Sequence, residues 1–402
     1  MDDSGERTIG GRFILAGALI VLLALAVTAE LLLRVFQRAS AGVPMTAWVL
    51  RRVPEQFPVS PFLVFGPRTE WRVPNRPATG YAYFNAQGFR HSKPVEPKAP
   101  GEYRIITLGG STTEDLWNEA GIHWPLVMEC RLQQMGRNDV RVLNGGMSAY
   151  SSAHTLVRLE MDVLAYDPDL VIVMDNVNDL TVNYVAEAAG VAVDPNYHVK
   201  YGRPEYTSIV GEADVVPSRL WNAIRARLRP GDKPQELHAE AGDISGGLAV
   251  FERNLRSMAA IARVHDVGLI FLTMPVADSD SLYSFTQAGF RAGRPQVGPL
   301  PPRRARFESD FAAYNESIER VGTATGTPVI RMHAELGADP AHFGDVVHYT
   351  TLGSITFGTA AARALESLLP ALTGAPAAGN GSSARACGWE KGAPSAQVAL
   401  NP

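Results

Sequence analysis

Five short apolar runs, separated by helix-length segments, occupy the chain between positions 104 and 331. The runs are 104–108, 140–143, 170–174, 269–273 and 328–331. They are nearly continuous in apolar side chains, which is typical of strands covered on both faces. Helical periodicity fills the intervals at 124–135, 153–164, 248–264 and 311–325. This alternation predicts an α/β fold with a doubly wound, parallel, five-stranded sheet.

The amino terminus carries a different signal, an apolar stretch from Phe13 to Leu33 that only Thr28 and Glu30 interrupt. About 21 helical residues at 1.5 Å each reach across a hydrocarbon core of roughly 30 Å. We therefore expect a single transmembrane helix over residues 13–36, preceded by a short N-terminal segment, 1–12.

A cleavable signal peptide is the alternative interpretation, because Val27-Thr28-Ala29 fits a small-residue cleavage site. The acidic residues Asp2, Asp3 and Glu6 are unlike the basic start of such a peptide. Arginine is more frequent after the span than before it, which favours a cytoplasmic bulk by the positive-inside rule, but large domains often cross regardless. We expect a membrane-anchored, single-pass protein whose catalytic domain is extracytoplasmic.

The remaining divisions follow from composition. Residues 37–100 are rich in proline but also contain aromatic residues, which predicts a stalk partly packed on the body. Residues 101–372 form the predicted catalytic domain, and the Ala/Gly/Ser/Pro-rich segment 373–402 is expected to be a disordered tail. Two cysteines define no disulfide framework, and Cys130 is interpreted as a small buried apolar residue.

Charge excludes one class of partner. The formal net charge is −4, so no broad basic field exists and nucleic acid is not expected to bind. The densest basic cluster, Arg303, Arg304 and Arg306, follows a proline pair and is interpreted as a solvated loop, with an anionic contact site as the alternative. The oligomeric state stays undetermined.

The segments directly after the strands carry residues suited to acyl transfer. Ser111 follows a glycine pair after the first strand, Gly146 lies in a glycine turn after the second, and Asn178 follows the third. The last loop, beyond the fifth strand, adds Asp345 and His348. Because the carboxyl ends of parallel strands gather at one edge of a sheet, we expect these residues to meet there.

Their chemistry is that of a serine ester hydrolase. Ser111 is the expected nucleophile, His348 the general base, and Asp345 the residue that orients the imidazole. The Ser111 and Gly146 N–H groups and the Asn178 side chain are the expected oxyanion hole. This mechanism needs neither cofactor nor metal, although His342, Asp345 and His348 could alternatively be read as a metal cluster.

These blocks resemble the SGNH, or GDSL-type, hydrolase family over roughly Tyr103 to Leu369, with matches at Ser111, Gly146, Asn178 and His348 and with Asp345 three before the histidine. The segment 85–90 also resembles one that precedes the first block in membrane-attached bacterial members. The resemblance implies a flavodoxin-like sheet in strand order 2-1-3-4-5 and hydrolysis of carboxylic esters. In the third block Asn176 replaces the family's glycine, so Asn176 is an alternative oxyanion donor.

The substrate expected for an anchored member is an acylated, chiefly acetylated, envelope glycan or lipid. The inserted segments 181–247 and 276–308 are expected to shape its pockets. Tyr184, Tyr197, Tyr201 and Tyr206 in the first insert fit either stacking on sugar rings or packing of the loop. Two other functions stay open: O-acyl transfer to a polysaccharide with the same triad, and a catalytically silent binding protein.

Overall fold

The structure is a computed structural model. It describes residues 17–32, 59–60, 63–66, 84–91, 94–115, 118, 122–201, 242–291, 303–373 and 387. The chain divides into two units, one comprising Met1–Glu55 with Glu212–Pro234 and the other Gln56–Gly211 with Gln235–Pro402. The second unit carries every feature of the sheet and of the site.

In the first unit, residues 17–32 form helix α1. Its large apolar side chains are exposed, among them Leu19, Ile20, Leu22 and Leu32. Within the described ranges, no helix has both the length and the apolar character needed to cross a bilayer. The predicted span 13–36 extends beyond the described residues at both ends, and the anchor stays a prediction.

Two sheets occur among the described residues of the second unit. Strands β1 (Val59–Ser60) and β2 (Val64–Phe65) form a small antiparallel pair. The main sheet consists of β3 (Tyr103–Gly109), β4 (Val140–Asn144), β5 (Leu170–Met174), β6 (Gly268–Leu272) and β7 (Val329–Ile330). Its strands are parallel in the order β4-β3-β5-β6-β7. Counted within this sheet the order is 2-1-3-4-5, which confirms the expected topology.

Strand burial explains why the apolar runs were so uniform. All five residues of β5 are buried, because β5 pairs with β3 on one side and β6 on the other while helices cover the sheet. Such a strand gains roughly 25 cal/mol for each Å² of apolar surface removed from water, and a polar side chain there would forfeit this.

The helices of the second unit follow the strands. They are α2 (Ser111–Glu114), α3 (Trp124–Gln134), α4 (Ser152–Met161), α5 (Val177–Ala189), α6 (His198–Tyr201), α7 (Ser245–Val264), α8 (Asp280–Arg291), α9 (Arg304–Thr325), α10 (Met332–Leu336) and α11 (Thr351–Thr373). Helix α3 packs against α11, whereas α7 packs against α4, α5 and α9. Local signals set several ends: His123 caps α3, and Gly190 ends α5 at φ +65°.

Helix α9 corrects the interpretation of the basic cluster. Arg304 begins this helix and pairs with Asp278, Asp280 and Glu308. Arg306 is buried and pairs with Glu187 at 2.5 Å. The solvated-loop interpretation was wrong, because the proline pair stands just before a helix, where proline is tolerated.

The cysteines also differ from expectation. Cys130 in α3 forms a disulfide with Cys387, with a Cα–Cα distance of 6.0 Å. The interpretation of Cys130 as an unpaired apolar residue was wrong, since two cysteines 257 positions apart give no spacing pattern. Apart from Thr373 and Cys387, the predicted tail 373–402 lies outside the described residues.

Two predicted appendages are described in part. Of the proline-rich segment 37–100, Phe84 and Phe89 are buried, while most of the segment lies outside the described residues. In the first insert, Tyr184, Tyr197 and Tyr201 are buried at 1%, 0% and 3% exposure, so they pack the interior. Tyr206 lies outside the described residues, as does most of the rest of that insert.

Candidate active site

The turn that presents Ser111 depends on two glycines. Gly109, the last residue of β3, has φ +148°, and a Cβ there would overlap the carbonyl oxygen of Met174. Gly110 caps α2, and a Cβ there would lie 2.7 Å from Asn178 Nδ2 and 3.0 Å from the Tyr150 carbonyl oxygen. Ser111 therefore begins a short helix at the carboxyl end of β3, in a turn too crowded for larger residues.

Asp345 and His348 lie on one tight loop between α10 and α11. A bridge between Phe343 and Tyr349 closes the loop, and the Gly344 N–H donates to the His348 carbonyl at 2.8 Å. Asp345 Oδ1 accepts from the N–H groups of Val347 at 2.9 Å and His348 at 2.7 Å. These bonds orient the carboxylate through Oδ1 and leave Oδ2 for the imidazole.

The structure brings Ser111, His348 and Asp345 together. His348 Nδ1 lies 2.7 Å from Asp345 Oδ2, and His348 Nε2 lies 2.7 Å from Ser111 Oγ. The Asp345 side chain is 10% exposed and that of His348 22% exposed, so the acid is enclosed while the base reaches solvent. Asp345 and His348, two of the three residues in the metal-cluster alternative, are thus already hydrogen-bonded to each other.

Electrostatics separate the two titrating groups. Burial alone would raise the pKa of Asp345, but the His348 charge and the hydrogen bonds from His348 and Val347 outweigh it, and this pKa is lowered. Burial alone would lower the pKa of His348, but the carboxylate of Asp345, with smaller contributions from Asp115 and Glu114, raises this pKa above its usual 6.5. The pair favours a charged carboxylate beside a more basic imidazole.

The two asparagines of the third block have different surroundings. Asn178 Nδ2 donates to the Tyr150 carbonyl at 2.8 Å and lies beside the backbone that precedes Ser111. Asn176 instead is buried and donates to Asn315 Oδ1 at 2.9 Å and to the Phe311 carbonyl at 3.3 Å, both in α9. The geometry favours Asn178 over Asn176 as the residue next to the serine.

Gly146, the third expected oxyanion donor, lies close to α2. This N–H donates to Asn144 Oδ1 at 2.9 Å, and a Cβ on Gly146 would overlap the Glu114 nitrogen. Asn144 Nδ2 in turn donates to the Thr113 carbonyl at 3.0 Å. The glycine is needed for the close approach of this loop to α2, and its amide already has an acceptor.

Sequence reasoning missed a buried network that joins α2 to α11. Asn118 Nδ2 contacts Asp115 Oδ1 at 2.7 Å, Ser354 Oγ at 2.7 Å and the Tyr349 carbonyl at 3.1 Å. Ser354 Oγ also donates to Asp115 Oδ2 at 2.5 Å. This network holds the serine helix against the loop of His348, although no motif marks it.

Arg90 adds a second support behind the same helix. Its guanidinium is buried at 1% exposure and donates to the carbonyls of Glu114, Asp115 and Asn118 at 2.5, 2.7 and 2.6 Å. The segment 85–90 was recognisable in the sequence, but its role was not. Throughout the part of the chain with described coordinates, no group of three or more His, Cys, Asp or Glu side chains is arranged to hold a metal.

The sequence profile described as the GDSL-like Lipase/Acylhydrolase family matches residues 107–354. No curated protein sequence matches the chain. A lipase/acylhydrolase from Enterococcus faecalis is similar in structure, at 19% identity and a TM-score of 0.37, covering 65% of this chain and 94% of that one. An acetylxylan esterase, Axe2, from Geobacillus stearothermophilus has 16% identity and a TM-score of 0.39, covering 67% and 95%.

A GDSL-like lipase from Bacteroides thetaiotaomicron has 16% identity and a TM-score of 0.38, covering 68% of this chain and 93% of that one. TM-scores of this size support no conclusion about the present chain. The profile match is different in kind, because it runs from the first strand of the main sheet to the start of α11 and covers more than half of the sequence. The chain therefore belongs to the GDSL-like lipase/acylhydrolase family and is a GDSL-type ester hydrolase.

Proposed function

We propose that the enzyme cleaves esters through a Ser111-His348-Asp345 triad. The single observation that carries this proposal is the continuous chain of two 2.7 Å contacts from Ser111 Oγ through the imidazole to Asp345 Oδ2. A serine hydroxyl is a weak nucleophile at neutral pH unless a base accepts its proton. His348 Nε2 is at the distance that such a transfer requires.

The reaction follows from these contacts. Ser111 Oγ attacks the ester carbonyl carbon while His348 Nε2 takes the hydroxyl proton, and the carbonyl oxygen becomes an oxyanion. Collapse of this intermediate breaks the bond to the alkoxy oxygen, which receives the proton from His348 and leaves as an alcohol. Water, deprotonated by His348, then attacks the acyl-serine, and the bond to Ser111 Oγ breaks as His348 returns the proton to Oγ and the acid is released. Asp345 holds the imidazole tautomer and stabilises the imidazolium in both halves.

The oxyanion is proposed to be met by the Ser111 N–H and by Asn178 Nδ2. The first N–H groups of a helix have no acceptor within the helix, and Ser111 is the first residue of α2. Asn178 Nδ2 carries two hydrogens, of which one serves the Tyr150 carbonyl. A preorganised donor of this kind contributes about 2.7 to 4 kcal/mol. The Gly146 N–H, the third donor of the prediction, would exchange its present acceptor, Asn144 Oδ1, for the oxyanion.

The deciding experiment compares Ser111→Ala with Ser367→Ala, a control whose exposed hydroxyl donates to the Ala364 carbonyl. Turnover of an aryl acetate and labelling by a fluorophosphonate should both disappear in Ser111→Ala and persist in the control. Undiminished turnover in Ser111→Ala would reject the proposal. Absence of labelling and turnover in the unmodified enzyme would favour a silent binding protein.

For the natural substrate we propose an acyl group, chiefly acetyl, on an envelope glycan or lipid. The proposal rests on the acylhydrolase family and on the predicted anchor, which would hold the enzyme at a membrane surface. A screen of acyl lengths on aryl esters and of acetylated sugars tests it. Preferential appearance of acetylated glycan over free acetate would identify an acyltransferase instead.

We also propose that the chain is membrane-anchored through residues 13–36, with its catalytic domain, 101–372, outside the cytoplasm. The Cys130–Cys387 bridge supports this side of the membrane, because disulfides persist in oxidising compartments. Protein isolated without reductant should resist thiol alkylation and should stay with membranes after an alkaline wash. Alkylation of both cysteines, or release by the wash, would contradict the respective half of the proposal.

A further inference from the structure

Two adjacent side chains of α6 reach both loops that flank Ser111. The Tyr201 hydroxyl donates to the Ala149 carbonyl at 2.8 Å, in the loop after β4. Lys200 Nζ donates to the Asn178 carbonyl at 2.9 Å and to Thr181 Oγ1 at 2.7 Å, in the first turns of α5. Both residues are buried, at 3% and 2% exposure. Helix α6 thus contacts, from inside the protein, the backbone on both sides of the proposed oxyanion site.

We propose that Lys200 and Tyr201 are positioning residues that hold Asn178 and the 149–150 backbone in the geometry needed for oxyanion stabilisation. This inference rests on the proposed function, because it assigns a support to the donor Asn178. Neither residue touches the reacting atoms. We call Lys200 and Tyr201 together the α6 brace.

The Lys200 half of the brace fixes the start of α5. The main-chain oxygen of Asn178 accepts from Lys200 Nζ, and the side chain of Asn178 donates to the Tyr150 carbonyl. Asn178 is therefore held at its backbone and at its amide, which leaves little rotational freedom for the second Nδ2 hydrogen. The next residue, Asp179, is fully buried and accepts from the Ser152 N–H at 2.9 Å, which anchors the same turn to α4.

Burying the Lys200 ammonium requires compensation, since a charged group without partners in the interior is strongly unfavourable. The Asn178 carbonyl and the Thr181 hydroxyl supply hydrogen-bond acceptors, and the ammonium lies 5.0 Å from the centre of the Tyr201 ring. Burial lowers the pKa of Lys200 to about 7, although the charge of Asp179 raises it in part. A lysine placed here at such cost is consistent with a requirement for that position.

The Tyr201 half of the brace fixes a strained residue. Ala149 has φ +65°, a left-handed conformation that is unfavourable for a residue with a Cβ. Such a conformation persists only where surrounding contacts hold it, and the Tyr201 hydroxyl bonds to the carbonyl of this very residue. The following carbonyl, that of Tyr150, is the acceptor for Asn178 Nδ2. Tyr201 therefore sets the acceptor that orients Asn178.

Aromatic packing joins the two halves. The His154 ring stacks on the Tyr150 ring at 4.7 Å and meets the edge of the Tyr201 ring at 4.4 Å. A displacement of the Tyr201 ring would therefore displace His154 and then Tyr150, whose carbonyl accepts from the Asn178 amide. These contacts link Tyr201 to Asn178 by a second route, through side chains.

The test separates positioning from simple packing. Tyr201→Phe removes one hydroxyl and keeps the ring, and Tyr184→Phe is its matched control. Tyr184 is equally buried, at 1% exposure, and its hydroxyl donates to Asp310 Oδ2 at 3.0 Å, on the side of α5 that faces α9. Both changes are expected to lower the melting temperature to a similar extent, because each removes one buried hydrogen bond.

Only the brace variant should affect the transition state. We expect kcat for an aryl acetate to fall about tenfold in Tyr201→Phe with KM unchanged, because the oxyanion develops after binding. Lys200→Met should lower kcat more, by about 30-fold relative to the unmodified enzyme. The rate of inactivation by a fluorophosphonate should fall in both variants. Tyr184→Phe should keep both rates.

Two results would overturn the inference. One is an unchanged kcat in Tyr201→Phe, and the other is a raised KM with kcat retained, which would indicate substrate contact. If Lys200→Met does not fold, Tyr201→Phe decides alone. Failure of the proposed function is recognised separately, since Ser111→Ala would then retain turnover whatever the brace variants do.

Discussion

Replacing Asp345 with asparagine tests how the acid prepares the base. The two oxygen contacts to the Val347 and His348 N–H groups can be kept by the amide oxygen, so the loop should retain its shape. The amide nitrogen then faces His348 Nδ1, where the carboxylate oxygen lies at 2.7 Å. Since an amide NH₂ can only donate, Nδ1 must accept, and the imidazole proton moves to Nε2. That nitrogen then can no longer take the proton of Ser111.

The expected loss in kcat is on the order of 10⁴-fold, which corresponds to about 5 kcal/mol of transition-state stabilisation. The pH dependence should change as well. His348 must be neutral to act as base, so activity of the unmodified enzyme should fall with decreasing pH through a pKa above 6.5. Without the carboxylate, burial dominates and lowers the pKa of His348, which should move this acid limb to lower pH.

The assay is kcat/KM for an aryl acetate between about pH 5 and 9, with fluorophosphonate inactivation as a second rate. A melting curve verifies that Asp345→Asn is folded. A loss smaller than about tenfold would refute the tautomer argument. An acid limb that stays in place in Asp345→Asn would refute the assignment of the raised pKa to this carboxylate.

Two further predictions concern stability. Ala149→Gly should raise the free energy of unfolding by about 0.5 to 1 kcal/mol, because glycine adopts the left-handed conformation without steric cost. Gly190→Ala is the matched reverse change, because Gly190 has φ +65° and no described atom lies within 4 Å of the added Cβ. It should lower the free energy of unfolding by a similar amount. Urea titrations that give the opposite signs would contradict both predictions. Cys130→Ser removes a disulfide that joins positions 257 apart and should lower the free energy of unfolding by up to about 5 kcal/mol. Calorimetry should then show a melting temperature lower by about 10 °C. An unchanged melting temperature would argue against the bridge.

The sheet could be predicted because its signal is local. Strand β5 was located from residue 170 to 174 without error, since a fully covered strand must be apolar at every position. Ser111, Asp345 and His348 followed from where the strands end, because parallel topology places those ends at one edge. Their spacing along the chain carried no information about the 2.7 Å contact; the fold supplied it.

What escaped prediction depends on partners distant in sequence. The hydrogen bond from the Gly146 amide to the Asn144 side chain depends on loop conformation, which the glycine turn in the sequence does not reveal. No sequence pattern marks Lys200, whose Nζ the fold places against the Asn178 carbonyl. Arg306 likewise became a buried pairing residue only because α9 brings it to Glu187.

The acid and the base are three residues apart, but the hydroxyl that they act on lies 237 positions away. One short loop therefore carries the first pair, while the second contact also needs β3, which presents Ser111, and the Asp115, Asn118 and Ser354 bonds that join the two regions. We therefore expect a chain in which these long-range contacts have not formed to be inert toward esters. Turnover then reports on completion of folding, and recovery of activity during refolding should trail the appearance of helical signal.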